Sequence, residues 1–111
     1  MSSTLSQYTT QEVTIANAGT TSGQFRVGEY NKGSILVPAA ITGTSYTLEV
    51  SNDGSTWDGL KVAAGTAVAA VNWAANDILP LPASVFDCLY ARIVSQAAEG
   101  AARTIVVFLK G

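Results

Sequence analysis

Few side chains in this chain can move a proton or attack an electrophile. They are eight carboxylates (Glu12, Glu29, Glu49, Asp53, Asp58, Asp77, Asp87 and Glu99) and one thiol, Cys88; there is no histidine. Carboxylates acting alone cleave glycosidic bonds when two of them flank a cleft that holds a sugar ring. Here Glu49 falls on the polar side of an alternating segment, and Asp53, Asp58 and Asp77 fall among turn formers. A domain of this size leaves little room for a cleft, so all eight are expected to be solvated or to shape turns. Asn52-Asp53-Gly54 followed by Asp58 lacks the alternating oxygen ligands and the closing bidentate glutamate of a calcium loop. Without histidine, the commonest general base and zinc ligand are missing. Cys88 has no partner for an intrachain disulfide and heads an apolar run with Leu89, which suits a small buried hydrophobe better than a reactive thiol. Neither catalysis nor a metal or cofactor is expected.

The 111 residues make one domain of common size. Only 13% are charged, against about 25% in ordinary soluble domains. Six basic and eight acidic residues leave a net charge of −2. Lys61, Arg92, Arg103 and Lys110 do not cluster, so there is no basic stripe to neutralise phosphates and nucleic-acid binding is not expected. No apolar stretch approaches the roughly 18 residues of a membrane helix. The start, Met1-Ser2-Ser3-Thr4-Leu5-Ser6-Gln7, has neither the basic nor the apolar region of a signal peptide. Synthesis in the cytoplasm is the expectation. Met1 to Thr10, rich in Ser, Thr and Gln, has little to bury and is expected to be a flexible arm, leaving 11–111 as the folded domain.

Turn-forming residues recur every eight to twelve positions or so, the spacing of an all-β domain. Glu12 to Ala16 and Gln24 to Val27 alternate, and Ser34 to Val37 is a short apolar run stopped by Pro38. The clearest strand is Ser45 to Ser51, with Tyr46, Leu48 and Val50 on one side and Thr47, Glu49 and Ser51 on the other. Asn52-Asp53-Gly54-Ser55 then supplies a turn, with Asn and Asp bonding their own backbone and Gly taking the positive φ, and Thr56 to Leu60 returns as a strand. Ala63 to Asn76 mixes alanine with Gly65; a strand over Ala67 to Val71 fits its β neighbours. Pro82 opens one helical turn through Phe86. Leu89 to Ser95 and Arg103 to Lys110 close the domain. About eight short antiparallel strands and at most one helical turn predict a β-sandwich, jelly-roll-like in character.

Ser51-Asn52-Asp53-Gly54-Ser55-Thr56-Trp57 resembles both the Asp-box hairpin of sialidase-type propellers and a hairpin of discoidin-like sandwiches, in which the tryptophan packs beneath the turn. A wider order of motifs comprises Gly28-Glu29-Tyr30, Val37-Pro38-Ala39-Ala40, the Tyr46 to Gly54 strand and hairpin, Pro82 to Phe86, Tyr90 to Ser95, and a last apolar strand. From Val13 to Lys110 this order resembles small β-sandwich structural proteins of tailed-bacteriophage virions. The resemblance implies a capsid decoration, or cement, protein: a homo-oligomer, often a trimer, that binds the major capsid protein on the outside of the assembled shell.

The last strand is apolar on both sides, with Ile105, Val107 and Leu109 on one and Val106 and Phe108 on the other, whereas a sandwich strand shows water one face. Either loops cover Val106 and Phe108 or a neighbouring subunit does. Trp73, in an alanine-rich stretch, either anchors an interface or plugs an end of the sandwich. With Tyr30 these are the candidate interface residues; Asn52, Asp53, Gly54 and Trp57 form the structural hairpin. The competing functions are a carbohydrate-binding module on a tail or fibre, whose aromatic platform would draw on Tyr30, Tyr46, Trp57 and Trp73, and a head-completion or tail-tube component.

Overall fold

The computed structural model describes residues 8–111. Eleven strands lie among them: β1 (Tyr8–Ile15), β2 (Phe25–Arg26), β3 (Lys32–Leu36), β4 (Ser45–Ser51), β5 (Asp58–Gly59), β6 (Lys61–Ala63), β7 (Thr66–Ala67), β8 (Val71–Asn72), β9 (Ile78–Pro80), β10 (Tyr90–Ser95) and β11 (Arg103–Lys110). One 3-10 turn, Ala83–Asp87, follows Pro82 at the place the proline predicts. A first antiparallel sheet has the order β1-β11-β3-β9, and a second the order β2-β10-β4-β5, with β8 also on β4. The chain is an all-β sandwich.

Alternation explains how the layers meet. Val13, Ile15, Ile35, Ile105, Val107 and Leu109 point inward from the first sheet. Phe25, Tyr46, Leu48, Ala91 and Ile93 meet them from the second, in one continuous core. Each large aliphatic side chain removed from water contributes about 1.5–3 kcal/mol, so β11, with three such residues at its centre, holds the first sheet together.

Three sequence expectations are corrected. The arm does not extend to Thr10: Tyr8, Thr9 and Thr10 belong to β1, facing Lys110, Leu109 and Phe108. Tyrosine and threonine suit a pleated strand, and the β11 backbone offers partners as far as Lys110. The rest of the expected arm, residues 1–7, lies outside the described residues. The strand over Ala67 to Val71 is replaced by a small hairpin, β6 with β7, turning at Gly65, and by β8 on the edge of β4. Alanine side chains there bury too little to hold a longer ladder. The strand from Thr56 to Leu60 is cut to Asp58 and Gly59 in register with β4, after which the Leu60 amide still donates to the Leu48 carbonyl at 3.0 Å.

Candidate interaction surface

Residues directly opposite in an antiparallel sheet share a face, so the strand registers map the outer side of the first sheet. Ser34 stands between Phe108 and Pro80 in one row, and Leu36 between Val106 and Ile78 in the next. Thr10 and Glu12 of β1 extend these rows on the other side of β11. Ile78 is 68% exposed and Phe108 36%, while Val106 and Leu36 are half-buried. Beside Phe108 the surface dips into an open groove of about 340 Å³ among Lys32, Ser34, Pro80 and Lys110. Val106 and Phe108 are therefore brought together, and register adds Leu36, Ile78 and Pro80 to them.

The outer side of the second sheet has the opposite character. The Arg92 guanidinium lies 4.3 Å from the centre of the Trp57 ring and 2.7 Å from Glu49 Oε1. Arg26 sits over Tyr90 at 5.8 Å and pairs with Glu29 at 2.7 Å. Stacked cations and ion pairs occupy this face. Trp57, four residues after the hairpin's Asp53, is half-buried and carries the Arg92 guanidinium on its ring.

Trp73 is withdrawn from the interface set. It is 5% exposed, its ring lies 5.0 Å from that of Tyr46, and its indole N–H donates to the Gly43 carbonyl at 2.8 Å. It plugs one end of the sandwich. Tyr46, also a candidate platform ring, is 1% exposed, and burial pushes its phenol up to about 12. Tyr30 is partly buried against the core. The four rings named for a sugar platform therefore do not share a surface.

The hairpin forms as its sequence requires. Asp53 Oδ1 accepts from the amides of Thr56 at 2.7 Å and Ser55 at 2.8 Å and from the Ser51 hydroxyl at 2.8 Å. Those donors, the two amides first, hold the carboxyl well below the usual carboxylate range. Gly54 takes φ +79°. Asn52 Oδ1 accepts from the Leu89 amide at 3.1 Å, tying the turn to the start of β10. An open groove of about 380 Å³ beside the turn is lined by Asn52, Asp53, Thr56, Asp58 and Cys88 among others. Asp53 is committed to the turn and Asp58 to Lys61 at 2.8 Å. Cys88 is half-buried rather than core, its thiol pushed up by burial and by neighbouring Asp87.

One carboxylate contradicts the expectation of solvated side chains. Glu99 is 1% exposed. Its Oε1 accepts from the Thr42 amide at 2.7 Å and Arg103 Nε at 3.0 Å, and its Oε2 from the Gly43 amide at 2.9 Å. The Ser95 hydroxyl lies 2.9 Å from Oε2. Burial works to raise this carboxyl, but the two amides, Arg103 and Ser95 outweigh it and hold the group at about 2. Gly43 is the hinge of the cluster, since its amide serves Glu99 and its carbonyl serves Trp73. A Cβ at Gly43 would collide with Ser95 Oγ. The available signal was a lone acid in an alanine run with arginine four residues on. Among the described residues, no three acidic or thiol side chains converge on one point that a metal could occupy.

Compared with known protein families, curated proteins and solved structures, the chain matches none.

Proposed function

We propose that the protein is a structural component of a tailed-bacteriophage virion. In this reading it is a capsid decoration protein that binds the major capsid protein on the outer shell and stabilises the head by protein–protein contact. The observation that carries this is the unequal character of the two outer faces. One is closed by ion pairs and cation–π stacks, and the other presents Phe108, Pro80, Val106, Leu36 and Ile78 in adjacent rows. Apolar surface rimmed by polar residues marks a docking site, and the motif order that resembles small virion sandwiches supplies the kind of partner. Low overall charge fits a chain whose surface is covered in use. Trimers set on the shell would present several such faces at once, and linked weak contacts bind far more tightly than single ones.

The test mixes purified protein with empty shells assembled from the cognate major capsid protein and follows both through a density gradient. Saturable co-sedimentation is expected, and Phe108→Asp should abolish it while changing stability by no more than about 1 kcal/mol. Absence of binding, or binding that Phe108→Asp leaves intact, refutes the assignment. A glycan array probed with the same labelled protein should give no selective signal.

A further inference from the structure

Three rows of residues cross the outer side of the first sheet. Lys110 and Lys32 form the first, Phe108, Ser34 and Pro80 the second, and Val106, Leu36 and Ile78 the third. Successive rows lie two residues apart along the strands, about 7 Å at the usual rise. Both lysines are exposed. Among the described residues neither pairs with a carboxylate, and residues 1–7 contain no Asp or Glu. Among the strands of this sheet, one acid shares the face: Glu12, beside Val106 in the third row. Four residues of strand separate that row from Lys110, about 14 Å, which exceeds the screening length of physiological salt. Glu12 therefore leaves the two ammonium groups unneutralised. The apolar rows end in cations on one side and border an acid on the other.

We propose that the segment this face holds is an extended strand of the partner protein in which an Asp or Glu side chain stands two residues from a large apolar one. The carboxylate lies over Lys32 and Lys110, and the apolar side chain enters the Phe108 groove. Charge complementarity selects the acid, because two ammonium groups opposed across adjacent strands repel each other until an anion stands between them. Spacing selects the extended chain. Alternate residues of a strand point to one side about 7 Å apart, which is the distance from row to row. The groove bounded by Lys32, Ser34, Pro80 and Lys110 is open at Phe108 and joins the two subsites. A second apolar residue two positions further on reaches Val106, Leu36 and Ile78. The reverse alignment sets the carboxylate in the row of Glu12 and apolar groups over the lysines, so the two ends of the face fix the direction. This inference rests on the reading of the face as a docking site and names the chemistry of what docks.

Magnetic resonance titration of the isotope-labelled full chain with capped heptapeptides tests it. Thr-Val-Thr-Phe-Thr-Glu-Thr and its reversed sequence both carry the acid two positions from the aromatic ring. One order or the other should give saturable shifts confined to β3, β9 and β11. Exchanging the peptide Glu for Gln, or moving it one place onto the opposite side of the peptide strand, should weaken binding at least about fivefold. The double variant Lys32→Gln, Lys110→Gln loses a repulsion and keeps its fold; it should bind the acidic and glutamine peptides equally. Absence of saturable shifts on those strands, equal affinity of the wild type for the acidic peptide and either control, or an unaltered preference in the double variant overturns the proposal. Shells that bind through Phe108 while the peptides show no acid preference sink this inference and leave the virion reading standing. Peptides that bind as expected while shells do not bind uphold the segment chemistry and sink the virion reading.

Discussion

Replacing Glu99 by glutamine keeps its shape and removes its charge, which isolates what the buried carboxylate contributes. Every polar neighbour of that carboxylate can donate: the Thr42 and Gly43 amides, Arg103 Nε and the Ser95 hydroxyl. A glutamine NH2 must face at least one of these donors with another donor, and the largely buried Arg103 loses its counter-charge. Breaking one partner of a buried pair costs about 3–5 kcal/mol. The titration of the native group gives a similar size. Its carboxyl lies at about 2 in the fold against an ordinary 4.5, which at 1.36 kcal/mol per pH unit corresponds to no more than about 3 kcal/mol. Because the folded value is depressed, this stability is fully present above about pH 5 and is lost as pH falls from 4.5 toward 2. Urea unfolding followed by tryptophan fluorescence should place Glu99→Gln about 3 kcal/mol below wild type at pH 7, with the gap narrowing steadily toward pH 3. Asp53 titrates in the same acid range in both proteins and cancels. A deficit under about 1 kcal/mol at neutral pH, or one that is the same size at pH 3, refutes the reasoning.

Trp73→Phe removes the donor to the buried Gly43 carbonyl and part of a core ring, and should cost about 3 kcal/mol in the same urea assay. Tyr46→Phe deletes a buried hydroxyl that has no hydrogen-bond partner among the described residues; calorimetry should find it neutral or stabilising by up to about 1 kcal/mol. Gly54→Ala forces a Cβ into φ +79° and should lower stability by about 1 kcal/mol, leaving sedimentation unchanged because the turn lies on the second sheet.

Where side-chain pattern and backbone pairing point the same way, the sequence was enough. Alternation through Tyr46, Leu48 and Val50 located β4, and Ile105, Val107 and Leu109 located the buried side of β11. The Asn52-Asp53-Gly54 turn and the Pro82 helical turn followed from local φ requirements. The start of β1 could not be read this way. Its inward residues there, Thr9 and Gln11, are polar and half-buried although they stand opposite the core residues Leu109 and Val107, so no apolar alternation marks the strand and pairing with β11 specifies it. Glu99 was hidden because the amides that make its burial tolerable come from Thr42 and Gly43, more than fifty positions away in the chain. The Arg92 stack on Trp57 was hidden for the same reason, since Arg92 belongs to β10. Of the apolar face, Val106 and Phe108 were legible from one strand, whereas Leu36 and Ile78 joined them only through register.

The distribution of charge bears on the proposed docking face. Arg26, Lys61, Arg92 and Arg103 each pair with a carboxylate. Among the described residues, Lys32 and Lys110 have no such partner, and the register places them directly opposite one another beside the Phe108 groove. Like charges facing across adjacent strands are destabilising, so the isolated protein carries a local repulsion at the border of its apolar rows. A shell surface that covers Phe108 and brings a carboxylate against the two ammonium groups relieves that repulsion as it binds. A neutral or basic surface leaves the repulsion in place and adds desolvation. The proposed function therefore calls for an acidic group next to the apolar contact on the capsid side, and for binding that weakens as salt screens the pair.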